Sequence, residues 1–150
     1  MIRMQDLKAL ARNTCILALD EAGQLYVRMS GTELDTMFGK NLSGVSITEI
    51  TTPEACEGFT HFHKALIQRP CAGFAHDVIT DNKGHRLNCR FLILPLVSDS
   101  GDKLYCMSYC DLEREGYNLE TQNLMTTIDY REFKQAYFLD LGFGMPNFSY

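Results

Sequence analysis

Residues 25–44 constrain the fold of this chain more than any other segment, because a strand pattern changes there into a helix pattern across a glycine. Leu25, Val27 and Met29 alternate with residues of a different kind, as a half-buried strand requires. Gly31 interrupts the alternation, and the apolar residues that follow recur at helical spacing. The block therefore predicts a strand that ends before Gly31 and a short helix after it.

The predicted helix has recognisable ends. Thr32 can cap it, and Leu34, Met37 and Phe38 share one face at positions i, i+3 and i+4. Gly39 provides the backbone freedom that a helix C-terminus often uses. The pattern predicts a capped helix between Thr32 and Gly39.

Length and composition favour one globular domain. A chain of 150 residues buries roughly 70% of its unfolded surface without disulfides or metals, and 45% hydrophobic with 22% charged residues is ordinary for such a domain. The longest strongly apolar stretch, 91–97, is far shorter than the ~20 residues of a membrane-spanning helix. The first ten residues lack the apolar run of a secretory signal. We expect a cytoplasmic protein that does not enter membranes.

Charge and cysteine usage exclude further classes. The net charge of −5 and the absence of a basic cluster in the sequence argue against a nucleic-acid partner. The six cysteines lack the close paired spacing of zinc ribbons, and we interpret them as buried thiols. We therefore expect neither a metal site nor catalytic residues. The cysteines are Cys15, Cys56, Cys71, Cys89, Cys106 and Cys110.

The rest of the chain continues these patterns. A capping box occupies 46–49, and the main helix begins at the Thr52 cap and ends before Pro70. A helix over 119–133 and an extended docking tail over 136–150 follow the last strand. The predicted strands are 13–20, 24–30, 74–80, 85–94 and 104–111.

This order of elements predicts an α+β fold, with one five-stranded antiparallel sheet, helices packed on one face and a C-terminal extension. We divide the chain into an N-terminal segment, 1–12, a domain, 13–114, and an extension, 115–150. The extension is expected to dock on the domain or to dimerise it.

Over roughly residues 13–111, the chain resembles a PAS domain. The block after the second strand resembles a bacterial PAS subfamily in particular, as do a tripeptide in the fourth strand and one in the tail. The matching residues are Gly31-Thr32-x-Leu34, Phe38-Gly39, Leu42-x-Gly44, Leu94-Pro95-Leu96 and Asp140-Leu141-Gly142.

The resemblance implies a sensory or regulatory module in signal transduction, with a pocket between helices and sheet and no enzymatic activity. We expect it to bind a small apolar or weakly anionic ligand of unknown identity, a signalling protein in trans, or both, and to form a homodimer. The alternative is a protein interaction module without a ligand. No cofactor is expected, and a heme sensor, a flavin sensor and a thiol enzyme are the less favoured readings.

Candidate pocket residues follow from this fold. Arg28 and Arg90 lie within strands, so each either faces solvent, the reading we prefer, or faces the helices and grips a carboxylate or phosphate. On the last strand, alternation leaves open whether Tyr105 or its neighbour Cys106 faces the pocket. The candidates are Arg28, Ser30, Gly31, Thr32, Phe38, Phe59, His63, Arg90 and Tyr105.

Two motifs resemble cofactor sites. Residues 88–92 spell the core of the flavin-binding motif of LOV photosensors, but here they fall within a predicted strand rather than on a helix. His61 and His63 lie where heme-binding PAS sensors carry a histidine, yet residues two apart on a helix point ~200° apart. The prediction for His63 is a partly buried histidine with a hydrogen bond.

Overall fold

The structure, a computed structural model, describes residues 4–81, 83–101, 103–114 and 128–147. A 3-10 segment, Met4–Asn13, precedes the sheet, and a 3-10 turn, Ile47–Glu49, lies between the two α-helices. The helices are α1, Thr32–Phe38, and α2, Pro53–Gln68. The strands are β1 (Thr14–Leu19), β2 (Leu25–Ser30), β3 (Ala72–Asp81), β4 (Arg86–Val97), β5 (Leu104–Arg114) and β6 (Ile128–Leu139).

The strands form one antiparallel sheet in the order β2-β1-β5-β4-β3-β6. The predicted α+β class is confirmed, and among the described residues the strand count is corrected from five to six. The additional strand, β6, lies beyond the predicted domain boundary at residue 114 and pairs with β3. That division of the chain stays a prediction.

The predicted helix over 119–133 is wrong where the structure describes it. Residues 128–133 belong to β6, and the remainder, 119–127, lies outside the described residues. The edge of β3 provides backbone partners for this segment along its length, from Ala72 opposite Leu139 to Asp81 opposite Ile128. This ladder outweighs the weak local preference for helix.

Helix starts follow the sequence signals, with one correction. The capping box at Ser46 and Glu49 is confirmed, and the Thr52 side chain accepts a hydrogen bond from the Ala55 backbone at the start of α2. The cap of α1 is Gly31, however, so Thr32 is the first helical residue and not the cap. The extended backbone of Gly31 already provides the turn into the helix, and no side-chain cap is made.

The two threonines give a matched test of this assignment. We expect Thr52→Ala to lower the free energy of unfolding by about 1 kcal/mol, because the cap of α2 is lost. Thr32→Ala removes the same atoms from an exposed first-turn position and should change it by less than about 0.5 kcal/mol. Urea denaturation of both variants measures the difference, and equal losses would contradict the assignment of Gly31 as the cap.

The core lies between the helices and one face of the sheet. Phe62 and Leu66 of α2 are almost fully buried, and they face a sheet surface that includes Cys89, Ile93 and Cys106. The two faces of β5 are thereby distinguished. Cys106, Ser108 and Cys110 point to the core, and the alternate residues, such as Tyr105, point to the outer face.

Candidate functional site

A cavity of about 70 Å³ lies between α1, α2 and the inner face of the sheet. Four polar or thiol-bearing side chains interrupt an otherwise apolar wall: Cys15, Ser108, Cys110 and Arg131. Five members of the wall come from the 25–44 block. The apolar wall residues are Leu17, Val27, Leu34, Met37, Phe38, Leu42, Ile47, Ile50, Phe59, Ile79 and Phe91.

Arg131 is the cation on this wall, and β6 carries it. Its side chain is 6% exposed, and it forms an ion pair with Asp77 of β3, whose side chain is 0% exposed. Nε donates a hydrogen bond to Asp77 Oδ2 at 2.8 Å, and Nη2 donates to the same oxygen. Nη1 donates to Thr51 Oγ1 at 3.4 Å. The guanidinium group is thus fixed by a carboxylate and a hydroxyl at the cavity wall.

Aromatic rings surround the same guanidinium group. Its central carbon lies 4.5 Å from the ring centre of Phe59, 5.4 Å from that of Phe133 and 5.7 Å from that of Phe91. All three distances fall within the range of a cation–π contact, and such contacts are stronger where water is excluded. Phe59 and Phe91 also line the cavity, so the ring faces help to hold Arg131 there.

Asp77 is an incompletely satisfied buried carboxylate. Burial raises its pKa, and the charge and hydrogen bonds of Arg131 oppose that rise. Its Oδ1 has no hydrogen-bond partner in the described part of the chain. Buried polar atoms are normally paired, but here only Oδ2 of the carboxylate accepts hydrogen bonds. The ion pair therefore offsets the desolvation of Asp77 through one of its two oxygens.

His63 is buried behind the cavity wall. Its Nδ1 lies 2.8 Å from the Phe59 carbonyl oxygen, to which it donates, and its ring stacks on Phe59 with 4.1 Å between the centres. Burial lowers its pKa to about 4, and the charge of Arg131 adds to the lowering while the Phe59 hydrogen bond opposes it. His63 is therefore neutral at pH 7, with Nε2 unprotonated and without a partner among the described residues.

The pKa of His63 predicts a loss of stability in acid. The unfolded chain takes up a proton near pH 6.5, but the folded chain does so only near pH 4. The stabilising contribution is complete above pH 6.5 and falls as the pH is lowered, by about 2 kcal/mol at pH 5. Chemical denaturation between pH 6.5 and pH 5 should show this fall in the free energy of unfolding for the native chain. The contribution of His63 to the fall should be absent in His63→Leu. The same slope in both proteins would contradict the assignment.

The structure brings only part of the predicted set to the cavity. Phe38 and Phe59 lie on its wall, and His63 lies behind Phe59. Ser30 is occupied by a hydrogen bond to the Asp35 side chain. Gly31 packs against backbone carbonyls of the N-terminal segment, and Thr32 is exposed.

Three predicted residues belong to the opposite face of the sheet, and their assignment to the pocket is corrected. The Arg28 guanidinium lies over the ring of Tyr105, 5.1 Å from its centre. Arg90 donates a hydrogen bond to Asp111 at 2.8 Å, with both side chains about half exposed. Their strands turn these positions away from the helices, which is the solvated-face interpretation favoured for both arginines.

The structure also locates the motifs that resemble cofactor sites. Residues 88–92 lie within β4, and Cys89 is a fully buried member of the core. Within residues 4–81, 83–101, 103–114 and 128–147, no group of three or more His, Cys, Asp or Glu side chains is placed to hold a metal ion. None of the helices in those ranges is both long and apolar enough to cross a membrane.

Comparison with known proteins gives one match. The sequence model of a PAS domain family matches residues 2–109, which is most of the chain. No curated protein and no solved structure matches at a significant level. The match covers β1 to β5 up to residue 109, and it stops before β6 and Arg131.

Proposed function

The chain belongs to the PAS domain family, and from that premise we propose that it is a non-enzymatic sensory domain whose cavity binds a small carboxylic acid. PAS domains are typically sensory or regulatory modules, so the class of function follows from the family. The ligand class is our inference from the cavity. We propose further that the protein acts in the cytoplasm on a protein partner in trans.

The observation that carries the proposal is a buried guanidinium group on an apolar wall. A guanidinium group recognises carboxylate and phosphate groups with two parallel hydrogen bonds, and a carboxylate is the smaller of the two. Arg131 has five N–H groups, of which the bonds to Asp77 and Thr51 account for three. Apolar side chains of the same cavity wall, such as Leu34 and Ile79, suit a short hydrocarbon tail.

The cavity volume limits the size of the ligand. An apolar cavity of about 150 Å³ holds benzene, which has six non-hydrogen atoms. In the same proportion, a cavity of about 70 Å³ holds about three such atoms. It therefore suits the shortest carboxylic acids, and propionate, with five non-hydrogen atoms, probes the upper limit of size. At the ceiling of about 1.5 kcal/mol per atom, five atoms bind no more tightly than a Kd of about 3 µM.

A thermal-shift comparison tests the ligand class. Propionate at one hundred times its Kd adds about 2.7 kcal/mol to the free energy of unfolding, which raises Tm by roughly 5 to 10 °C for a domain of this size. Propionamide has the same shape without the charge and should give a much smaller shift. The shifts given by formate, acetate and butyrate, compared with that of propionate, identify the chain length that the cavity prefers.

A paired variant identifies the site. Arg131→Gln with Asp77→Asn removes both charges together, so that no unpaired ion stays buried, and it should abolish the propionate shift. Lys134→Gln removes an exposed cation from the same strand and should leave the shift intact. An equal shift from propionate in all three proteins, or from propionamide in the native chain, would overturn the proposal.

The rival function is a protein interaction module without a ligand. The outer face of the sheet has features of a partner surface. Leu92 and Tyr137 are each 41% exposed there, and aromatic residues such as tyrosine are enriched at protein interfaces. The two functions are compatible, and a homodimer through this face belongs to the proposal. If no small acid raises Tm, the interaction module becomes the preferred function.

A further inference from the structure

Strand β6 alone, among the described elements, carries the cation of the cavity. It pairs with β3 from Ala72 to Asp81 and turns β3 from an edge strand into an interior one. Thirteen residues, 115–127, separate it from the end of β5. The sheet positions of β1 to β5 do not depend on β6, because they are already joined through other ladders.

The contacts of β6 are those of a strand at the edge of the sheet. Among the described strands it has one neighbour, β3. Its inner face packs Phe133 and Phe138 against the core, with Phe138 stacked on Phe62 at 4.8 Å between ring centres, and places Arg131 on the cavity wall. The outer face of β6 is largely exposed, as at Tyr137. A strand with one neighbour and one buried face opens at a lower free energy than the core.

We propose that β6 is a ligand-controlled cover over the edge of β3. The proposal rests on the function proposed above, because it requires an acid that binds Arg131. Such an acid binds only when β6 is docked, since release of the strand removes Arg131 from the cavity. By linkage, the acid must hold β6 in place, and release of β6 must weaken binding of the acid by the same factor.

Opening of this cover creates an interaction surface. The unpaired N–H and C=O groups of β3 then form a free edge, which fits an extended strand from a partner protein. The ligand-free protein therefore offers this edge more often than the ligand-bound protein. Ligand binding in the buried cavity thus controls how often the edge of β3 is exposed to a partner.

Hydrogen exchange of the full-length chain, with propionate as the probe, tests the proposal. Without propionate, amides of β6 and their partners in β3 should exchange faster than the core amides of β1 and β5. With propionate at ten times its Kd, exchange at β6 and β3 should slow about tenfold, which is the factor expected when opening and binding exclude each other. Core amides that exchange through global unfolding should slow by the same factor.

Three outcomes separate the two proposals. If propionate binds and slows the core amides but leaves β6 unchanged, β6 opens with the ligand in place, and the cover is overturned while the proposed function stands. If β6 exchanges as slowly as the core without propionate, it has no separate opening, and the cover is again overturned. If propionate does not bind, the proposed function fails and the control of β6 by a ligand fails with it.

Two variants complete the test. Arg131→Gln with Asp77→Asn should make β6 exchange independent of propionate, because the strand then brings no cation to the cavity. Lys134→Gln should keep the tenfold response, because this cation lies on the same strand but outside the cavity wall. A response that persists in the double variant or disappears in Lys134→Gln would overturn the proposal.

Discussion

Replacement of Arg131 by Met should be among the most damaging single changes in this protein. Arg131 is the cation that pairs with the fully buried Asp77, so its removal leaves an ionised carboxylate inside the core. Removal of one partner from a buried ion pair costs about 3 to 5 kcal/mol. We expect a loss at the lower part of this range at pH 7, measured by urea denaturation.

Protonation sets an upper limit on that loss. The buried carboxylate can become neutral by binding a proton. With a reference pKa of 3.8, protonation costs about 4.4 kcal/mol at pH 7. Without Arg131, the folded-state pKa of Asp77 lies further above the unfolded value, so the folded state binds more protons. The deficit of Arg131→Met relative to the native chain should therefore shrink as the pH falls, by up to about 1.4 kcal/mol per pH unit.

Two comparisons isolate the charge from the packing. Arg131→Gln with Asp77→Asn should recover most of the stability that Arg131→Met loses, because neither residue is then ionised. Lys134→Met removes an exposed cation from the same strand and should cost less than about 0.5 kcal/mol. A deficit in Arg131→Met that is independent of pH, or that is just as large in the double variant, would mean that packing of the side chain and not the ion pair is responsible.

Sequence reasoning succeeded where local signals determine the structure. The alternation of Leu25 and Val27, the Gly39 stop and the Thr52 cap each act within a few residues, and the structure places a strand and two helices accordingly. Gly39 adopts the left-handed conformation, with φ of 65°, that its position requires. The same block provides five of the cavity wall residues.

The missed element, β6, depends on a partner far away in the chain. The hydrogen bonds of Arg131 to Asp77 join residues 54 apart, and no local pattern reports them. An irregularity of pairing beside Asp77 also breaks the period of two, since the core-facing apolar residues of β6 are Phe133, Ala136 and Phe138. A spacing of three resembles a helix more than a strand.

The arginine on the cavity wall is not one of those that the sequence analysis considered. An arginine that faces the helices was expected to grip an anion, and Arg28 and Arg90 were the candidates, but both face outward. Alternation fixes which residues share a face without saying which face is the core. That Arg131 faces the core follows from the tertiary fold and not from the sequence pattern.

Replacement of Gly31 by Ala should be nearly as damaging as loss of Arg131, for a steric reason. A Cβ atom at Gly31 would lie 2.1 Å from the backbone oxygen of Ala11 and 2.4 Å from that of Arg12. Both obstacles are backbone, so no side chain can rotate away. We expect a loss of about 3 kcal/mol, at the upper end of the range for overpacking.

The site of the damage is specific. Gly31 donates its N–H to the Thr14 carbonyl at 2.9 Å, so it is held against the junction between Met4–Asn13 and β1. The added methyl group must displace the N-terminal segment or the start of α1. Hydrogen exchange should therefore show faster opening at both places, with β3 and β4 affected only through global stability.

Gly58 provides the matched control, because it lies inside α2 and a Cβ atom there meets nothing within 4 Å. Gly58→Ala should raise the free energy of unfolding by about 0.5 to 1 kcal/mol, since alanine loses less backbone entropy in a helix. The same substitution should thus lower the free energy of unfolding at Gly31 and raise it at Gly58. If Gly31→Ala lost only about 1 kcal/mol or less, the N-terminal segment would not be packed against Gly31 in solution. Such a loss would be no larger than that expected when a helix N-cap residue is replaced by alanine.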